Sequence, residues 1–144
     1  MDVRKVLVTT DFSDAGNAAL RVGHDLAKRY EAHLTLLYVQ EGKRSIADGV
    51  LPHTSHGKAI DRSTTLQNHL EMVAEQLQAE ADEYAVLTDT SPTEGILAFA
   101  EAEKIDVIVI AARGHSALER LLIGSVTERV VRHAKCAVLT VKPE

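Results

Sequence analysis

Tryptophan is absent, and two phenylalanines and three tyrosines are the only large aromatic rings. With aromatics at 3%, the core has to be assembled from Val, Ile, Leu and Ala. A single cysteine, Cys136, excludes an internal disulfide and fits a reducing, cytoplasmic setting. No apolar run approaches the ~20 residues that span a bilayer. Met1-Asp2-Val3-Arg4-Lys5 leads into a strand pattern with no apolar signal-peptide region, so a soluble cytosolic chain with no membrane association is expected. No basic cluster with interleaved aromatics occurs either, and the formal charge of −5 argues against a general attraction to nucleic acid.

Several nucleotide and catalytic signatures are also missing. Gly57-Lys58 is followed by Ala59 and lacks the upstream glycine, so there is no P-loop. No G-x-G-x-x-G follows the first strand pattern, and no G-x-S-x-G is present. These absences argue against a P-loop motor, a dehydrogenase and a nucleophilic hydrolase, and leave dedicated catalysis with little support.

What is there is a regular alternation. Residues 5–10, 34–39, 105–111 and 137–141 are short, β-branched, nearly continuously apolar runs, as strands covered on both faces are. Ala85 to Thr88 is a weaker fifth strand, third in chain order. Between them, apolar residues at spacings of three and four predict helices over 15–30, from Leu66 to about Ala81, and over 125–134. Ser91-Pro92-Thr93-Glu94 predicts the start of another, because Ser91 can cap, Pro92 suits the first helical position and Glu94 closes a capping box. At 144 residues the chain reads as one α/β domain spanning 1–144. The expected fold is a single doubly wound, Rossmann-like, five-stranded parallel sheet with helices on both faces and strand order 3-2-1-4-5. Residues 41–62 hold three of the eight glycines and Pro52 with little periodicity, and read as a long loop after the second strand.

Ligands of such sheets bind outside the carboxyl ends of the strands, where strand order reverses. Two segments point there. Thr9-Thr10-Asp11 ends the first strand, and Asp11 offers a carboxylate to ribose hydroxyls or to a phosphate-bound metal; alternatively, Asp11 and Ser13 cap the first helix. Ala111-Ala112-Arg113-Gly114-His115-Ser116 ends the fourth, and Gly124-Ser125-Val126-Thr127 opens the last helix. Gly114 and Gly124 allow positive φ and close backbone approach, and the helix start offers bare N–H groups to an anion. The alternative here is a capping box, Ser125 with Glu128. Arg113, Arg120 and His115 are further candidate phosphate partners. His53 and His56 lack a third ligand nearby, so no protein metal site is expected. Cys136 reads as a small buried residue more readily than as a redox thiol.

Gly114, nine residues, Gly124 and Ser125 resemble the nucleotide-binding signature of the universal stress protein family, with Ala111 in place of its first glycine. The opening Lys-Val-Leu-Val-Thr-Thr-Asp-Phe-Ser and the closing Ala-Val-Leu-Thr-Val-Lys-Pro resemble the family's first and last strands; Thr9 stands where many of its nucleotide binders have proline. The resemblance covers the chain apart from 41–62. It implies an ATP-binding, nucleotide-responsive stress regulator, with AMP or ADP as alternative ligands and Mg carried by the phosphates. Thr9, Thr10 and Asp11 would border the adenosine and Val39 the base. Ala111, Ala112, Arg113, Gly114, His115, Ser116 and Ala117 would line the phosphates with Gly124, Ser125, Val126 and Thr127. It also implies a homodimer through the last strand, 137–141, and an unknown protein partner. The rivals are a nucleotide-independent scaffold of the same fold and a slow ATP-hydrolysing or adenylate-forming enzyme.

Overall fold

The computed structural model describes residues 1–43, 61–112 and 123–143. The elements run β1 (Lys5–Thr9), α1 (Asp14–Tyr30), β2 (His33–Glu41), α2 (Asp61–Gln76), β3 (Glu83–Asp89), α3 (Pro92–Ala102), β4 (Val107–Ala111), α4 (Ser125–His133) and β5 (Ala137–Val141). All strands are parallel, in the order β3-β2-β1-β4-β5 expected from the alternation.

Side chains alternate across each strand, so an apolar run delivers one residue to each face in turn. Val6, Val8, Leu34, Leu36, Val107 and Val109 point to the α1 and α2 side, where Ala19, Leu20, Leu70 and Ala74 meet them. Leu7, Leu37, Ala85, Leu87, Ile108 and Ile110 point to the other side, against Ile96, Phe99, Ala100 and Val130 of α3 and α4. Phe99 is the one aromatic ring that is fully buried among the described residues. Small residues let the layers close up elsewhere: a Cβ on Gly23 of α1 would lie 2.1 Å from Val8 Cγ2.

Local chemistry sets the element ends. Ser91 caps α3 by accepting from Glu94 N–H at 3.3 Å, with Pro92 in the first helical position. β4 starts two residues later than expected, because Ile105 N–H donates to Ala100 O and completes the α3 terminus. α2 stops at Gln76, short of the expected Ala81. There Gln78 turns to a left-handed φ of 52°, and Gln78 and Ala79 N–H groups fold back onto Glu75 and Ala74 carbonyls. β2 extends to Glu41, paired with Asp89, and α2 begins at Asp61, so both elements trim the expected loop to 42–60; residues 44–60, with His53 and His56, lie outside the described residues.

At the amino edge, two aspartates of the strand approaches hold the neighbouring strands. Asp106 Oδ2 accepts from both Arg4 and Lys5 N–H at 2.9 Å, and its own N–H donates to Lys5 O. Asp82 Oδ2 accepts from Leu34 N–H at 2.8 Å, and its N–H donates to Leu34 O.

Candidate functional site

Strand order reverses between β1 and β4, which pair directly from Val6 with Val107 to Val8 with Val109. Their connections leave toward opposite faces, α1 on one and α4 on the other, and open a crevice at the carboxyl edge. Thr9, Thr10 and Asp11 on one side and Ala111 and Ala112 on the other lie at this edge.

The turn from β1 into α1 is tightly wound. Thr10 N–H donates to Leu37 O at 3.0 Å, extending the sheet one residue past β1. The chain then reverses through Phe12, whose φ of 66° is uncommon for a residue with a Cβ. Phe12 N–H donates to Thr10 Oγ1 at 3.0 Å, and Ser13 N–H to Asp11 Oδ1 at 2.9 Å. Ser13 caps α1 by accepting from Gly16 N–H at 3.1 Å, while its hydroxyl bonds to Asp11 Oδ1. The capping alternative therefore describes Ser13 directly, and Asp11 braces the cap with one oxygen while its side chain stands exposed at the edge. Gly16 is required by proximity: a Cβ there would lie 2.6 Å from Thr10 Oγ1 and 3.2 Å from Asp11 Oδ1.

On the β4 side, Ala112 N–H donates to Val141 O and Gly124 N–H to Ala112 O, both at 2.8 Å. The chain thus leaves the sheet at Ala112 and returns beside it at Gly124. Buried Thr127 donates its hydroxyl to Ala111 O at 2.6 Å. Two expectations need correction. Gly124 has φ −57° and ψ 153°, so its position does not call on a positive φ. It is also the N-cap residue of α4, which moves Ser125 to the first helical position and prevents the Ser125–Glu128 capping box. Glu128 pairs instead with Arg132, one turn along, at 2.8 Å. Gly124 has no side chain with which to cap α4, so among the described residues the first N–H groups keep the partial positive charge of a helix start at the crevice.

Ala111, which takes the place of a glycine in the signature, closes β4 without a positive φ and packs with the α1-side cluster. Its methyl group imposes no backbone strain. Val39, half-buried near the end of β2, pairs with Leu87 and packs on the α3-side cluster. Arg113, Gly114, His115, Ser116, Ala117 and Arg120 lie outside the described residues.

Sequence reasoning passed over two residues near this edge. Asp89, buried at the end of β3, accepts from Ser91 N–H at 3.1 Å and bonds to Thr90 Oγ1. Its position two residues before a capping serine is the signal that identifies such a turn. His69 of α2 stacks on Phe12 with ring centroids 4.3 Å apart and planes 8° apart. Nothing in the helical spacing distinguishes it from an ordinary exposed histidine.

A shallow cavity of about 220 Å³ lies at the opposite end of the sheet, between the carboxyl ends of α3 and α4. Leu97, Ala100 and Ile105 line it with Cys136, whose thiol burial pushes above its ordinary pKa. A protonated thiol on an apolar wall is a poor nucleophile, which fits the packing reading of Cys136. Among the described residues no group of three His, Cys, Asp or Glu is placed to hold a metal, and no helix is long and apolar enough to cross a membrane.

Comparison with known proteins adds a lineage to this geometry. The family described as the universal stress protein family matches residues 2–142. A universal stress protein of Methanocaldococcus jannaschii is 33% identical over 144 residues, covering 96% of this chain and 82% of that protein. Universal stress protein UspA from Lactobacillus plantarum superposes with a TM-score of 0.71 at 28% identity, over 98% of this chain and 99% of its own. The universal stress protein from Archaeoglobus fulgidus in complex with dAMP has a TM-score of 0.65 at 21% identity, over 99% of this chain and all (100%) of its own.

Proposed function

The chain belongs to the universal stress protein family, and from that premise we propose that it binds an adenine nucleotide, ATP, at the carboxyl edge of the sheet between β1 and β4. The observation that carries the reading is the start of α4 at Gly124, an N-cap residue with no side chain, pinned beside Ala112 at the switch point and opposite the Thr10–Asp11 turn. An anion at that helix start completes the hydrogen bonding of N–H groups that the N-cap glycine cannot serve. The relative of the same fold described with dAMP shows, for this chain, the fold alone. The assignment of the ligand therefore rests on this chain's own residues.

In this reading Thr9, Thr10 and Asp11 border the adenosine, with Asp11 accepting from ribose hydroxyls, and Val39 contributes an apolar contact to the base. Ala111, Ala112, Gly124, Ser125 and Val126 supply backbone to the phosphates, with residues 113–117 completing the cradle. Mg enters with the phosphates, where it neutralises charge. The protein acts in the cytoplasm as a homodimer joined through β5, a role supported by the exposed Leu139 on that strand and the exposed Val131 on the adjoining α4. Nucleotide occupancy is its signal to a protein partner.

A nucleotide-independent scaffold is the second reading, and Thr127 favours it. Its hydroxyl proton is committed to Ala111 O and is withheld from any phosphate. Chromatography of the small molecules released when freshly purified protein is denatured separates the two. A stoichiometric adenine nucleotide supports the binding reading. Its absence, together with an unchanged melting temperature at millimolar ATP, establishes the scaffold.

A further inference from the structure

Building on the nucleotide reading of this edge, we infer that His69 is a positioning residue: its imidazole, laid flat on Phe12, holds the β1–α1 turn in the conformation that presents Asp11. Two hydrogen bonds inside the turn are local, from Phe12 N–H to Thr10 Oγ1 and from Ser13 N–H to Asp11 Oδ1. Bonds of this kind form in many turn conformations and do not by themselves select one. Phe12 adopts a left-handed φ of 66° without glycine's freedom, so tertiary contacts must hold it there.

Two rings supply those contacts. Tyr38 of β2 lies 4.7 Å from the Phe12 ring at 51°, and His69 of α2 lies 4.3 Å away and nearly parallel. Tyr38 belongs to the sheet and is fixed by it. His69 is different, because α2 docks through buried Leu70 and Ala74 and half-buried Leu66 and Val73, while His69 itself is exposed. Its ring is dispensable for seating the helix, and its contact with Phe12 is directed at the turn. Asp11 and Ser13 flank Phe12 on either side, so a change of φ at Phe12 moves the Asp11 carboxylate off the Ser13 cap and away from its place at the crevice.

The test compares ATP affinity by titration calorimetry in the wild-type protein and in His69→Ala, His69→Phe and Met72→Ala. Met72 is exposed on the same helix and serves as the control. Loss of one stacked pair should raise Kd about three- to tenfold in His69→Ala. His69→Phe keeps a stacking ring and should restore the wild-type Kd, and Met72→Ala should leave it unchanged. Equal weakening in His69→Ala and His69→Phe, equal weakening in Met72→Ala, or no change in His69→Ala would each overturn the inference. If the wild-type protein takes up no ATP, the nucleotide reading fails, and the hold on the turn is judged separately by amide exchange at Phe12 and Ser13. Faster exchange in His69→Ala that His69→Phe reverses sustains the holding role; unchanged exchange refutes it.

Discussion

Thr127 gives its hydroxyl proton to the carbonyl of Ala111 at 2.6 Å, fastening the first turn of α4 to the last residue of β4. Replacing Thr127 with Val keeps the shape and removes this hydrogen bond from a part-buried carbonyl. A loss of about 1–2 kcal/mol is expected, with Thr127→Ser close to wild type. Urea unfolding measures it as a lower midpoint at unchanged slope.

Gly23 sets how closely α1 approaches the sheet. A methyl group there meets Val8 Cγ2, so Gly23→Ala should destabilise by about 1–3 kcal/mol despite alanine's better helix propensity. Val8→Ala removes the obstructing atom. The double variant should therefore be more stable than the sum of the two single losses predicts, which a double-mutant cycle from thermal unfolding reads directly.

ATP binding makes its own prediction at Gly124. Ligand at 100 times Kd stabilises a binding protein by about 2.7 kcal/mol, visible as a rise in melting temperature. Gly124 has backbone angles open to any residue, so Gly124→Val should fold, at a cost of about 1 kcal/mol for the poorer N-cap. In the proposed site the added side chain would crowd the phosphates. The ATP-induced rise should disappear in this variant, and a retained rise would sink the cradle model.

Cys136 makes a pH prediction. Burial raises its thiol pKa above the unfolded value, so the folded state holds the proton more tightly than the unfolded chain does. Stability is unaffected below the unfolded pKa and declines as pH rises from that value through the raised one. Wild type should lose stability across this alkaline window relative to Cys136→Ala, and carboxymethylation should run faster in urea than in the native protein at the same pH.

The alternation of apolar runs made the sheet legible, since strands covered on both faces and helices with a single stripe leave different periods in a sequence. Ser91 and Pro92 announced α3 because capping is local chemistry. The end of α2 was less legible: Gln78 takes a left-handed turn that glycine usually marks. The start of α4 at Ser125 was legible, but its cap was not: Ser125 with Glu128 fits a capping box, and only the fold shows Gly124 in the N-cap position, bonded to Ala112. Phe12 and His69 were illegible, being 57 positions apart in a chain where neither spacing nor residue type links them. In the candidate site, the Thr10–Asp11 turn and the helix start were readable from short motifs, whereas the commitment of the Thr127 hydroxyl depends on a partner across the fold.

The aspartates at the amino edge settle a question that hydrophobicity leaves undecided. β1 and β2 carry apolar side chains on both faces, so sliding either strand by one residue would exchange one oily surface for another at little cost. Asp106 and Asp82 bear on the slip, because in the observed register each carboxylate meets backbone N–H groups at a strand entry: residues 4 and 5 for the first, residue 34 for the second. A sheet shifted by one residue would turn these N–H groups away and oblige each carboxylate to find others. Contacts at the end of the strands farthest from the crevice thus favour the alignment that brings Thr10, Asp11 and Ala112 to one edge, although the two carboxylates never approach them.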